Sequence, residues 1–220
     1  NSNRVLYDNN MHNKRLIASI TKIMTCIIVL ENSDINKQIT VGDEVLKAYG
    51  SAIYIEMGEK LTIKDLLYGL MLRSGNDASL VLAKNVSGNM DSFVKLMNEK
   101  ATDIGMKDTN FINDNGLEDN SGNGNTSTAY DMALLTSYAY KNDLYRQITG
   151  TKEITIKSDK KTYHWQNKNR ILHTTEYITG GKTGYTMKAK RTLVTTASKD
   201  NKNIVVVTLN DGNDFTDHLN

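Results

Sequence analysis

SITKIMTCIIVL, running from Ser19 to Leu30, is apolar on nearly every side of a helical wheel. A helix of that kind belongs in the middle of a domain rather than on its surface. It places Ser19 at the helix start and carries Lys22, one turn on and on the same face, into apolar surroundings. A buried lysine asks for a reason. An ordinary lysine, with a pKa near 10.4, costs about 4–5 kcal/mol to hold neutral at pH 7, so a role as a base requires desolvation and a nearby positive charge.

Upstream of this helix, Arg4 to Tyr7 (RVLY) reads as a short strand and Asp8 to Lys14 as a polar turn. Downstream, Thr62 and Asp65 form a T-x-x-D cap before an apolar run to Leu72. Arg73 to Asn76 interrupts that run, and helical spacing resumes from Asp77 to Val86. Ser74 and Asn76 are therefore expected in a connection between two helices. Phe93, Leu96, Met97, Ala101 and Ile104 recur at helical intervals, with Gly105 as a stop. A further helix is expected from about Thr128 to Tyr140. The last third changes character: Glu153–Lys157, Thr162–Gln166, Tyr177–Thr183, Arg191–Ser198 and Asn203–Asn210 are alternating or β-branched, as in antiparallel strands. One early strand, a helical middle and late strands predict an α+β layering in which the first and last segments share a sheet.

With 39% hydrophobic and 24% charged residues in 220, the chain has enough apolar surface for one domain without disulfides. A sheet lobe is expected over about 1–34 and 150–220, and a helical lobe over about 35–149. The net charge of +2 is interspersed, so no nucleic-acid footprint is expected, while a small anionic substrate is compatible. Cys26 is the only cysteine, which rules out an intrachain disulfide. No basic-then-apolar leader and no apolar run long enough for a bilayer occurs, so any export signal or membrane anchor is expected outside this chain. Proline is absent, leaving Gly and Asn to make the turns, most densely from Asp114 to Asn125.

A hydroxyl nucleophile needs a base, and S-x-x-K on a helix supplies both. The spacing occurs at Ser19/Lys22, Ser92/Lys95 and Ser158/Lys161. Only Ser19 opens an all-apolar helix; Ser92 lies on an amphipathic one and Ser158 in a charged loop. Lys182-Thr183-Gly184 occurs once, at a strand end, where a cation and a hydroxyl can receive a carboxylate and glycine admits substrate close to the backbone. Lys182 is also placed to supply the positive charge that Lys22 needs. S-G-N occurs at Ser74, Ser87 and Ser121; Gly88 is better read as a helix end, and Ser121 lies in the Asn/Gly loop.

S-x-x-K, S-x-N and K-T-G together mark penicillin-binding proteins and class A β-lactamases. The segments IASITKIMT (Ile17–Thr25), LLYGLMLRSGNDAS (Leu66–Ser79), FVKLMNEKA (Phe93–Ala101), TAYDMA (Thr128–Ala133) and GGKTGYT (Gly180–Thr186) resemble the serine D-alanyl-D-alanine carboxypeptidases, the low-molecular-mass penicillin-binding proteins, over nearly the whole chain. The resemblance implies a β-lactamase/DD-peptidase-like fold, an antiparallel sheet flanked by helices with a mostly helical lobe. It implies that Ser19 attacks the bond between two terminal D-alanines of a peptidoglycan stem peptide and that Lys22 takes its proton. Ser74 would relay a proton to the leaving amine, and Asn76 would hold the substrate amide and the Lys22 side chain. Lys182 and Thr183 would bind the terminal carboxylate, with Gly184 beside them, and the backbone N–H groups of Ser19 and Tyr185 would form the oxyanion hole. β-Lactam antibiotics would acylate the same serine. The implied setting is the cell-wall side of a bacterial plasma membrane, with no cofactor or metal and with membrane attachment possible through segments absent from this chain.

The chain departs from the family pattern in places. F-x-N-P-x-G-L reads Phe111-Ile-Asn-Asp-Asn-Gly-Leu117, which removes a proline from that loop, and Lys190-Arg191 stands where the family commonly has Gly after Ala189. Arg191 is a candidate to help hold a carboxylate. His12, His164, His173 and His218 have no metal-ligand spacing. A class A-like β-lactamase would carry E-x-x-L-N, which is absent, and a catalytically idle penicillin-sensing domain is the other alternative.

Overall fold

The computed structural model describes residues 3–220. Strand β1 (Arg15–Leu16) leads through a single 3-10 turn, Ala18–Thr21, into helix α1 (Lys22–Asn32). As the apolar composition requires, Ile17, Ile20, Ile23, Met24, Ile27 and Ile28 are inaccessible to solvent. Each contributes about 1.5–3 kcal/mol of burial free energy relative to exposure.

The chain then lays down β2 (Gln38–Thr40), β3 (Lys60–Thr62), α2 (Ile63–Arg73), α3 (Asn76–Ser87) and α4 (Met90–Ile104). Thr62 and Asp65 form a reciprocal capping box at the start of α2. Ser74 adopts a left-handed conformation (φ 64°) that ends α2 and turns the chain into α3. Gly105, also left-handed, ends α4 as its composition suggested. After β4 (Thr126–Ser127), α5 (Ala129–Ala139) and α6 (Asp143–Gly150) complete the shell around α1. One hydrophobic core joins α1 to side chains from α2 through α6.

Five strands follow. β5 (Glu153–Lys157) and β6 (Thr162–Gln166) form a hairpin of their own, whereas β7 (Ile178–Thr186), β8 (Lys190–Lys199) and β9 (Lys202–Leu209) form an antiparallel sheet ahead of the short helix α7 (Asp214–Asp217). Asp200 and Asn201, both at positive φ (50° and 59°), make the two-residue turn between β8 and β9. Asp and Asn tolerate that conformation best among residues with a side chain. The β5–β6 hairpin lays Trp165 against α2 at Gly69, where an added Cβ would come within 3.2 Å of the indole and 2.5 Å of Ile53.

Two expectations are corrected. Arg4–Tyr7 is not a strand, and Val5, Leu6 and Tyr7 are exposed. The first strand is Arg15–Leu16, and it pairs with Thr126–Ser127 rather than with the C-terminal sheet. A β-like run makes a strand only where it forms a ladder with a partner edge, and among the described residues the ladders do not include RVLY. Helix α6 was not foreseen, because its eight residues carry only Tyr145 and Ile148 as large buried anchors. Its Asn142 cap, accepting from the Tyr145 N–H at 3.0 Å, fixes where it begins. Among the described residues, no helix is long and apolar enough to cross a membrane.

Removing the α2 cap tests this account. Thr62→Ala should lower unfolding stability by about 1 kcal/mol in urea titrations. An unchanged midpoint would mean that β3 and tertiary packing alone hold the start of α2.

Candidate active site

At the N-terminus of α1, the Lys22 Nζ donates to the Ser19 Oγ at 3.1 Å and to the Asn115 carbonyl at 2.7 Å. Lys22 is wholly buried. Burial is the main cause that brings its pKa down to about 7; the Asp114 carboxyl opposes the fall, Lys168 adds to it, and Asp77 opposes it more weakly. Desolvation, which the sequence called for, is the largest cause, but the like charge acting on Lys22 is that of Lys168 rather than the expected Lys182. Lys22 and Lys168 in turn push Lys182 down, after burial.

The connection from α2 to α3 and strand β7 complete the cleft. Lys182, almost fully buried, donates to the Ser74 Oγ at 3.0 Å and to the Thr183 carbonyl at 2.7 Å. Gly184 lies so near α1 that a Cβ would stand 2.9 Å from the Ser19 nitrogen and 2.4 Å from the Thr192 hydroxyl. The Thr192 hydroxyl, on β8, donates to the Ile17 carbonyl at 3.0 Å and ties the sheet to the segment before Ser19. Ser19, Lys22, Ser74, Lys182, Thr183 and Gly184 thus converge. Tyr185 is exposed at the cleft edge, with its hydroxyl on the Met187 sulfur at 3.4 Å.

Asn76 sits in the same connection but does not bond Lys22 as expected. Its side-chain nitrogen donates to the Tyr49 carbonyl at 2.6 Å and its backbone N–H to the Ser51 carbonyl at 2.8 Å, leaving the buried Oδ1 without a partner among the described residues. The wall from Tyr49 to Ile55 is held by Asp77, whose carboxylate accepts from the N–H groups of Ile53, Tyr54 and Ile55 at 2.7–3.3 Å. The Lys168 amine reaches the same wall at the Ser51 hydroxyl, 3.2 Å away. Arg191, a candidate carboxylate ligand, is instead bonded through Nε and Nη2 to Asp214 at 2.9 Å.

Sequence reasoning noted the loop from Phe111 to Leu117 for its missing proline but missed its part in the site, the Asn115 carbonyl that it presents to Lys22. Its missing proline is compensated by side-chain bonds. Asn125 Oδ1 accepts from the N–H groups of Ile112 and Asn113, and Asn125 Nδ2 donates to the Thr21 hydroxyl at 3.0 Å. Asn113 Oδ1 accepts from the Asn115 and Gly116 N–H groups. Gly116, at φ +92°, passes so close that a Cβ would fall 1.9 Å from the Ala18 carbonyl oxygen. The density of Asn in this stretch was the available signal, and it was read only as turn chemistry. Among the described residues, no cluster of three or more His, Cys, Asp or Glu side chains is placed to hold a metal ion.

The fold is that of the penicillin-binding DD-peptidases, the β-lactamase-like type. The Streptomyces K15 DD-transpeptidase superposes with a TM-score of 0.86 at 32% identity, covering 93% of this chain and 84% of that one. A Mycobacterium tuberculosis D-alanyl-D-alanine carboxypeptidase structure superposes with a TM-score of 0.89 at 29% identity, covering 94% and 78%. The D-alanyl-D-alanine carboxypeptidase family profile matches residues 1–213, and the chain belongs to that family. The carboxypeptidase DacF of Bacillus subtilis is 36% identical over 210 residues, which are 93% of this chain and 53% of that protein. The chain therefore spans about half the length of that relative.

The depressed Lys22 pKa has a stability consequence. Between pH 7 and the ordinary lysine range the unfolded state binds more protons at this position than the folded state, so the Lys22 contribution to stability increases with pH across that window. Lys22→Met should raise stability near pH 7 and flatten its increase towards pH 10, measured as urea midpoints. Equal slopes for both proteins would mean that the folded-state Lys22 titrates normally.

Proposed function

We propose that this chain is the catalytic domain of a serine DD-carboxypeptidase that removes the terminal D-alanine from peptidoglycan stem peptides. The observation that carries the proposal is the Lys22 amine: fully buried, with a pKa near 7, and 3.1 Å from the Ser19 hydroxyl. A base poised near the working pH is what general-base activation of a hydroxyl requires.

In this reading the neutral Lys22 amine accepts the Ser19 proton as Oγ attacks the carbonyl between the two D-alanines. The oxyanion is received by the N–H groups of Ser19 and Tyr185, a placement supported by the approach of β7 at Gly184 to the Ser19 amide. Lys182 and Thr183 take the terminal carboxylate, and Asn76 takes the peptide amide through its free Oδ1. Ser74, bonded to Lys182, passes its proton to the leaving amine as the C–N bond breaks and recovers one from the Lys22 ammonium, which returns to the free amine as D-alanine departs. Water, deprotonated by the same lysine, then hydrolyses the acyl-Ser19 ester. β-Lactams acylate Ser19 by the same attack and act as inhibitors.

Residues 1–220 form one catalytic unit in this reading, with a sheet lobe near 1–34 and 150–220 and a helical lobe over 35–149. Its substrate places it on the outer, cell-wall side of a bacterial plasma membrane.

A peptide ending in Lys-D-Ala-D-Ala should release free D-alanine with the wild-type protein. Ser19→Ala should lower that release by at least ~10³-fold and abolish labelling by fluorescent penicillin. Stable penicillin labelling without peptide cleavage would favour a sensing domain, and rapid turnover of the lactam would favour a lactamase.

A further inference from the structure

Asp114 is a buried carboxyl beside this site that neither the proposed steps nor the bonds holding the cleft walls use. It directly precedes Asn115, whose carbonyl accepts the Lys22 amine at 2.7 Å. The Asp114 carbonyl is itself held by two hydroxyls, Thr25 on α1 at 2.6 Å and Ser79 on α3 at 3.0 Å. The backbone is thereby locked from two helices, and the side chain is 1% exposed. Neither carboxyl oxygen has a donor in good hydrogen-bond geometry, and the hydroxyl that favours its ionised form, Ser79, is bonded to the Asp114 carbonyl.

An ionised carboxylate without donors is costly to bury unless a cation opposes it. The packing around it supplies cations. The α1 face that carries Lys22 and Thr25 bonds the Asn115 and Asp114 carbonyls in succession, which sets Asp114 beside Lys22; the charges of Asp114, Lys168 and Asp77 act on Lys22, and those of Lys22 and Lys168 act on Lys182. No cation lies within 4.0 Å of the Asp114 carboxyl among the described ion pairs, so the interaction acts through space in a medium of low dielectric.

Resting on the carboxypeptidase reading, we propose that Asp114 is a positioning residue for Lys22: the two form a buried acid–base pair that sets the pH at which the lysine becomes a free base. With both groups charged the pair is neutral and the amine cannot accept the Ser19 proton. Loss of one proton from the Lys22 ammonium to solvent leaves the amine free and Asp114 ionised, and that species is the competent one. The signs agree with this geometry: burial pushes the lysine pKa down while the carboxylate pulls it up, and burial raises that of Asp114 while the Ser79 hydroxyl and, after it, Lys22 lower it. Asp114 thus keeps Lys22 from falling too low to be an effective base in the company of two further lysines.

The test is the pH dependence of Ser19 acylation by fluorescent penicillin, from pH 5 to 9, in wild type and Asp114→Asn. The amide keeps the side-chain shape and removes the charge. The acid limb should move down by about one pH unit or more, because Lys22 loses an opposing charge. A limb that stays in place, whether or not the plateau rate falls, would overturn the proposal. Should Asp114→Asn not fold, as judged by circular dichroism, the wild-type carboxyl is followed by carbon-13 NMR. A carboxyl ionised through pH 7, with a second step that tracks the Lys22 titration, supports the pair; one protonated throughout pH 5–9 overturns it. Absence of acylation in wild type at every pH would sink the carboxypeptidase reading instead. The Lys22 side-chain NMR titration in the two proteins would then still decide whether Asp114 shifts it.

Discussion

Everything near the cleft depends on keeping one amine out of water. In solvent the Lys22 amine would be charged at neutral pH and could accept nothing. Its burial demands an apolar α1, a shell of helices around that helix, and two protein acceptors to replace lost water. Ser19 supplies one from the 3-10 turn just before α1, and Asn115 supplies the other from 93 residues away. The fold can be read as the means of bringing that carbonyl to that amine.

Three walls close around the amine: two are irregular segments fixed by side chains bonded to backbone, and the third, β7, is a sheet strand joined to the α2–α3 connection by a side-chain bond. The Phe111–Leu117 loop is tied by Asn113 and Asn125, the Tyr49–Ile55 segment by Asp77, and β7 by the contact of Lys182 with Ser74. Proline rigidifies a loop by restricting the unfolded chain, whereas an asparagine network does so by satisfying amides in the folded one. This chain, without proline, uses the second route throughout.

What the sequence made legible follows from side-chain chemistry. Ser19 and Lys22 were identifiable because an apolar helix leaves a lysine nowhere polar to go, and Lys182 because K-T-G stands alone after a strand. Thr62 and Asp65 carry their geometry in their spacing. The Asn115 contribution is a backbone carbonyl, which any residue possesses and no pattern reveals. Lys168 and Asp77 belong to the site through tertiary position alone, and Asn76 turns its nitrogen to Tyr49 because that carbonyl arrives from a distant loop. The β-like run at Arg4–Tyr7 misled because strand formation is decided by a partner that local sequence cannot supply. Arg191 likewise had a better partner in Asp214 than any cleft ligand.

Asp77 gathers three consecutive amides onto one carboxylate while the next residue back, Asn76, holds the same segment twice more. The wall is therefore not a row of independent contacts but a single latch on the first turn of α3. Tyr54, inside that wall, is held at a left-handed φ of 61°. The rim of the cleft consequently takes its shape from two adjacent residues of α3, Asn76 and Asp77, and from lysines of the β5–β6 region that bond Ser51 and Tyr54, rather than from bonds within the loop that forms it.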